Sequence, residues 1–134
     1  MHPDPTDEAQ TWFVQAAEDL NAARHLASNP DMPPRLAAFL AHLAAEKALK
    51  GTLIARGVAI RKIHDLVALQ ACLDAQDAAA VSSDDIDVLI PWNIAGRYPA
   101  DLDDADSTTA DSTVNAADRI ITALTRRVTR VETD

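Results

Sequence analysis

His42, Glu46 and Lys50 are spaced four residues apart in the otherwise apolar stretch Leu36–Ile54. At about 100° per residue on a helix they share one stripe, and Lys47 lies beside it. A helix that is apolar on nearly every side lies inside a bundle, and ionised groups there must be paired or reach water. Lysine is a good partner for phosphate, so Lys47 and Lys50 are candidate ligand-binding residues. The alternative is that Glu46 and Lys50, at i and i+4, form a structural ion pair.

Two further places combine residues that suit chemistry. Histidine is the residue type whose charge changes near physiological pH, and His64 lies among basic residues, so it is a candidate for ligand contact and a weaker one for catalysis. Arg97 and Tyr98 immediately precede Pro99, where a guanidinium can hold a phosphate and a phenol ring can stack on a base. The alternatives are a helix start at His64–Asp65 and a simple ion pair between Arg97 and a neighbouring aspartate.

The sequence lacks the motifs of several other kinds of functional site. The chain contains no HExxH motif, so the sequence predicts no metal site. It has one cysteine, Cys72, which excludes an intramolecular disulfide. Three isolated glycines form no phosphate loop, and no serine occupies a nucleophile-elbow motif. We therefore expect no cofactor.

Charge is distributed unevenly along the chain. The formal net charge is −9, which argues against uniform binding to nucleic acid. Between positions 46 and 64, however, five basic residues face one acid, whereas ten aspartates face one base between positions 74 and 111. We expect most of these aspartates to solvate the surface. Arg119, Arg126 and Arg130 form a line on the last helix that meets RNA, an acidic partner or only solvent.

The elements that must position these residues are helices. Abundant alanine, three glycines and helical spacing of the apolar residues predict an all-α, antiparallel up-and-down bundle of four to five helices. It forms a single domain over 1–134, with 1–6 as a flexible N-terminal tail. Gly51 marks a close approach of another backbone, and Trp12 and Trp92 are predicted to lie in the core. Five helices are predicted. The first runs from a cap at Thr6 or Asp7 to about Asn29, the second from Pro34 to Arg56, and the third from His64 to about Ala75. The fourth runs from Ser82 or Ser83 to about Gly96 with a kink or break at Pro91, and the last from Ser107 to Val131.

Four segments in this order resemble the HEPN family (higher eukaryotes and prokaryotes nucleotide-binding). They are W…A..DL at Trp12–Leu20, AAEKALKGTLIARG at Ala44–Gly57, KIHDL at Lys62–Leu66, and Trp92 followed by AGRYP at Ala95–Pro99. The resemblance implies a helical bundle that is usually a homodimer. It also implies a partner nucleotidyltransferase, in a toxin–antitoxin-like or two-subunit pair. With no apolar run of 18 residues free of charges, we expect a cytoplasmic protein and no membrane contact.

Some members of that family are metal-independent endoribonucleases with an R-x4-6-H motif, in which histidine acts as acid or base and arginine stabilises phosphate charge. This chain departs from the motif because no histidine follows Arg97. Arg35 and His42 have the spacing formally, but they stand at the start of the second helix. The leading hypothesis is a nucleotide- or nucleic-acid-binding accessory protein. The alternatives are an endoribonuclease toxin with a degenerate site of Arg97 and His64, and a protein-interaction module without catalysis.

Overall fold

The computed structural model of the chain describes residues 5–60, 62–93 and 105–133. In these residues there are six α-helices, one short 3-10 helix and no strand. The elements in chain order are α1 (Pro5–Ala27), α2 (Pro34–Ala55), α3 (Leu66–Cys72), α4 (Ala75–Ala79), α5 (Ser83–Leu89), the 3-10 helix (Ile90–Trp92) and α6 (Ser107–Thr133). The predicted all-α bundle is confirmed. The first helix already begins at Pro5, within the stretch predicted to be a tail.

Helix α2 is the central rod of the bundle, and both α1 and α6 pack against it. Proline at its first position has the backbone angle of a helix and needs no N–H there. The helix ends at Ala55 with Arg56 as its C-cap, and Gly57 follows with a φ of 78°, the left-handed conformation that glycine adopts readily. The predicted start at Pro34 is confirmed, and the last helical residue lies one position before the predicted Arg56.

Gly51 lets α1 and α2 approach each other closely. A Cβ atom at this position would lie 3.0 Å from Cβ of Trp12 and 3.1 Å from the Phe13 ring. Such distances are shorter than ordinary van der Waals contact, so a larger residue would push the two helices apart. The close approach predicted from this glycine is confirmed, and it brings Trp12 next to the polar stripe of α2.

The short helices are set by side-chain caps. Asp65 accepts hydrogen bonds from the backbone N–H of Val67 and Ala68 at 2.8 and 3.5 Å, which starts α3. Asp74 caps α4 in the same way. The prediction of one helix from His64 to about Ala75 is therefore corrected, because a second cap starts α4. The predicted break at Pro91 is confirmed, since α5 ends at Leu89 and the 3-10 helix takes over.

Helix α6 buries one apolar side against α2 and α1. The carboxylate of Asp106 accepts a hydrogen bond of 2.8 Å from the N–H of Thr109 and caps the first turn. The predicted apolar side is confirmed for the residues whose side chains are described, which are Ala117, Ile120, Ile121, Leu124 and Val128.

Two of the aspartates expected at the surface are buried instead. Asp77 on α4 is fully buried and binds two guanidiniums: Arg56 through Nε and Nη2 at 2.9 and 3.1 Å, and Arg127 through Nε at 2.6 Å. We call these three residues the Asp77 clasp. Asp85 on α5 accepts from both Nε and Nη2 of Arg119. The expectation of solvated aspartates concerned most of the acidic stretch, and these two are exceptions to it, because each carboxylate has an arginine partner that makes burial tolerable.

Candidate functional site

The polar stripe of α2 exists and faces inward. His42, Glu46 and Lys50 are only 3, 7 and 5% exposed, although they carry ionisable groups. Charged groups are rarely buried so far unless they have partners, so the neighbours of this stripe determine what it can do.

Lys50, Glu46 and His64 form a compact cluster of three polar side chains. Nζ of Lys50 lies 2.8 Å from Oε2 of Glu46 and 2.9 Å from Nδ1 of His64. The same Nδ1 lies 3.2 Å from Oε2 of Glu46. The structural ion pair left open as an alternative is therefore present, and His64 from the segment after α2 joins it.

Trp12 of α1 completes the surroundings of Lys50. The ammonium lies 5.6 Å from the centroid of the indole ring, within the range of a cation–π contact. The ring and Glu46 together compensate the amine for the loss of water. The ammonium thus lies over the indole ring, and Trp12 itself is only half-buried.

An open groove of about 590 Å³ lies against this cluster, and we call it the Trp12–His64 groove. Its volume falls within the range of sites that hold small molecules. Two lysines and a histidine contribute positive or titratable groups, and one glutamate opposes them. The lining residues are Glu8, Trp12, Lys50, Ile54, Gly57, Val58, Ala59, Ile60, Lys62 and His64.

Lys62 stands on the groove wall in an unusual backbone conformation. Its φ is 58°, in the left-handed region that residues other than glycine seldom adopt. Such conformations cost about 1–3 kcal/mol and concentrate at functional sites. The side chain is exposed, so its ammonium is available to a ligand in the groove.

His64 also lines a neighbouring cavity of about 460 Å³, together with His42, Asp65, Leu66, Ile90 and Asn93. Its side chain is 64% exposed and separates the two spaces. The carboxylate of Asp65 is engaged in capping α3, as its place at a helix start indicated.

The structure brings together some of the predicted ligand-binding residues. Lys50 and His64 meet and line the groove. Lys47 points elsewhere, because its Nζ pairs with Oδ2 of Asp19 on α1 at 2.7 Å. Arg97 and Tyr98 lie outside the described residues, so their predicted roles stay predictions.

Sequence reasoning missed two residues of the groove. Trp12 was predicted to lie in the core; that was wrong, whereas Trp92 is buried as predicted. Adjacent residues on a helix point about 100° apart, so only one of the neighbours Trp12 and Phe13 can face the core fully. Phe13 faces the core. The presence of two adjacent aromatic residues was therefore the signal in the sequence that one of them lies outside the core. Lys62 was counted in a basic patch but was not chosen as a contact.

The arginine line of the last helix is partly structural. Arg119 binds Asp85 and the neighbouring Arg127 belongs to the Asp77 clasp.

Among residues 5–60, 62–93 and 105–133, no three His, Cys, Asp or Glu side chains are grouped so that they could hold a metal ion. No helix in those ranges has the length and hydropathy of a membrane span.

His42 makes the stability of the fold depend on pH. Burial lowers the pKa of its imidazole below 6.5, and the nearby carboxylates of Glu46 and Asp65 only partly oppose this. In the unfolded chain the histidine regains its ordinary pKa and binds a proton more readily. The free energy of unfolding is therefore expected to fall as pH decreases below about 6.5.

Urea unfolding at pH 7.5 and 5.5 measures this dependence. His42→Leu should flatten it, whereas His25→Leu, at an exposed position of α1, should leave it unchanged. An equal slope in wild type and His42→Leu would contradict the assignment.

The comparisons with known proteins agree with this fold. The sequence model of the HEPN domain matches residues 9–128. No curated protein matches the chain. The crystal structure of ST0689, an archaeal HEPN homologue, is similar with a TM-score of 0.67 and 25% sequence identity, over 90% of this chain and 97% of that one. The match to the family model covers most of the 134 residues, and this chain therefore belongs to the HEPN family.

Proposed function

We propose that this chain is a cytoplasmic nucleotide- or nucleic-acid-binding accessory protein and that its ligand binds in the Trp12–His64 groove. Membership of the HEPN family implies a function related to nucleotides or RNA. The observation that carries the assignment to this groove is an aromatic face beside basic groups in a space of ligand size. An indole ring can stack on any nucleobase, and the ammonium of lysine binds phosphate as a point charge.

The groups in the groove divide into two roles. Lys50 already has Glu46 as a counter-ion, so its charge is largely used within the protein. Lys62 is exposed, and we assign it the contact with phosphate. Trp12 supplies the stacking surface, and His64 supplies a polar contact between the two spaces that it lines.

We further propose that the chain acts as a homodimer with a nucleotidyltransferase partner. The support is the resemblance of its ordered motifs to a family in which such pairs occur. Co-expression with a nucleotidyltransferase encoded beside it, followed by size-exclusion chromatography, tests this part separately from ligand binding.

Calorimetric titration with AMP and ATP tests the groove. Lys62→Gln removes one charge-assisted contact, so it should weaken binding by about 1 kcal/mol, or about five-fold in Kd. Trp12→Leu removes base stacking, which is worth about 1–3 kcal/mol per base, and should weaken binding about ten-fold.

Arg126→Gln is the matched control, because Arg126 is an exposed cation on α6 outside the groove lining. Its Kd should equal that of the wild type. Equal losses in Lys62→Gln and Arg126→Gln would contradict the groove assignment. Failure of every nucleotide and of a short RNA to bind would contradict the ligand-binding function and leave the protein-interaction module.

The same protein incubated with RNA in EDTA tests the endoribonuclease alternative. Cleavage that is lost in Arg97→Ala would replace the accessory function with an enzymatic one. Intact RNA in the presence of bound nucleotide supports the accessory function.

A further inference from the structure

The contact between Lys50 and His64 bears on which ring nitrogen of the imidazole carries the hydrogen. A lysine ammonium has three N–H donors and no acceptor. Nζ of Lys50 lies within hydrogen-bond distance of Nδ1 of His64, at 2.9 Å. When Lys50 donates this hydrogen bond, Nδ1 supplies the lone pair. A neutral imidazole carries one hydrogen, which then resides on Nε2.

A competing arrangement is present in the same cluster. Nδ1 of His64 lies 3.2 Å from Oε2 of Glu46, so an Nδ1–H group can donate to this carboxylate instead. The two arrangements exclude each other because Nδ1 either accepts or donates. Lys50 favours the first, since the ammonium at once donates to Glu46 at 2.8 Å and to His64 at 2.9 Å.

We propose that Lys50 is a positioning residue that keeps neutral His64 in its Nε2–H form, so that the imidazole offers a hydrogen-bond donor to the groove. The ligand group that meets His64 is then an acceptor, the anionic oxygen of a phosphate. The ligand part rests on the proposed function, whereas the state of His64 does not. In this form Nε2 has no lone pair to take up a proton, so at Nε2 the imidazole donates a hydrogen bond and cannot act as a base.

Other ionisable groups around His64 come from every element that borders it. Helix α2 contributes His42 and Glu46 beside Lys50, and the segment of His64 itself contributes Lys62 and Asp65. Glu8 of α1 also lines the groove. Glu46 is the carboxylate within hydrogen-bond distance of Nδ1, so it is the group that would capture an Nδ1–H if Lys50 were removed.

Nitrogen-15 NMR of histidine-labelled protein tests the state of His64 directly. Two-bond correlations between ring protons and ring nitrogens distinguish the two neutral forms, and His64→Gln assigns the signals. At about pH 8, above the ordinary histidine pKa, wild-type protein should show His64 as Nε2–H. A wild-type spectrum of the Nδ1–H form would overturn the proposal without any variant.

Substitution at Lys50 then tests the cause. Lys50→Met should move His64 toward the Nδ1–H form, because Glu46 loses its competing donor. Lys47→Met, three residues earlier on the same helix and paired with Asp19, should leave the His64 signals unchanged. If Lys50→Met does not fold, Lys50→Arg still provides a test, since a guanidinium donor should retain the Nε2–H form. An unchanged His64 in folded Lys50→Met, or the Nδ1–H form in Lys50→Arg, would overturn the role of Lys50.

Titration with three probes tests the ligand part. Inorganic phosphate and AMP should shift the Nε2 signal of His64, and adenosine should not. A shift with adenosine but not with phosphate would overturn the acceptor assignment. If no probe shifts the signal while the Nε2–H form is observed, the ligand assignment to this groove fails and the role of Lys50 stands. A response to AMP alone identifies a nucleotide phosphate as the source of the oxygen, and a response to both anions identifies phosphate in general.

Discussion

Replacing Asp77 with alanine is expected to lower the free energy of unfolding by about 3 kcal/mol. Asp77 is fully buried, and its carboxylate is shared by Arg56 and Arg127. Alanine would leave both guanidiniums close together without their common counter-ion. Each arginine is partly exposed, so water relieves some of the cost, and the estimate lies at the low end for a broken buried pair. Thermal unfolding should shift downward by about 10 °C.

Asp87→Ala is the matched control, because Asp87 is an exposed aspartate on α5, and it should change stability by less than about 0.5 kcal/mol. The effect also has a signature in pH. Hydrogen bonds from Arg56, and then from Arg127, hold the pKa of Asp77 below 3.8. The stabilising contribution is therefore present above pH 3.8 and is lost as pH falls through the lowered pKa. Asp77→Ala and Asp87→Ala with equal melting temperatures at pH 7 would contradict the role of the clasp.

Gly51→Leu is expected to destabilise the fold by about 3 kcal/mol, because the side chain has no room between α1 and α2. The nearest obstacle is Cβ of Trp12, an atom fixed to the backbone that cannot swing away. Gly51→Ala should cost less, since alanine gains about 1 kcal/mol of helix propensity that offsets part of the strain. Urea unfolding of both variants measures their free energies of unfolding and shows which substitution costs more.

Ala22→Leu serves as the control for added bulk, because Ala22 is exposed on α1 and should tolerate leucine with little change. Separation of α1 from α2 would also move Trp12 away from Lys50 and alter the Trp12–His64 groove. Gly51→Ala should therefore weaken nucleotide binding more than Ala22→Leu does. A Gly51→Leu protein as stable as the wild type would show that the helices are not held at this distance.

The sequence was sufficient to predict the features that depend on local patterns. Pro34 and Gly57 bound α2 because each has a backbone preference that acts within a few residues. The stripe of His42, Glu46 and Lys50 follows from helical geometry alone. Gly51 indicated a close helix contact because an internal glycine is otherwise unfavourable.

Features that depend on partners distant in sequence were not predictable in this way. Asp77 looks like any other acid in an acidic stretch, and its burial depends on arginines 21 and 50 residues away. The five residues of α4 are too few to show a periodic pattern. The same reason applies to the groove, since Trp12 and His64 meet Lys50 only after α1 and the segment following α2 have packed.

The paired arginines and aspartates have a consequence for the lifetime of the folded bundle. Asp77 and Asp85 join segments that are 21, 34 and 50 residues apart, so these ion pairs close long loops. Helices α1 and α2 are neighbours in the chain and can associate first. Contacts that form after the folding transition state slow unfolding without accelerating folding. We therefore expect the two carboxylates to slow the unfolding of the bundle and to have little effect on its folding rate.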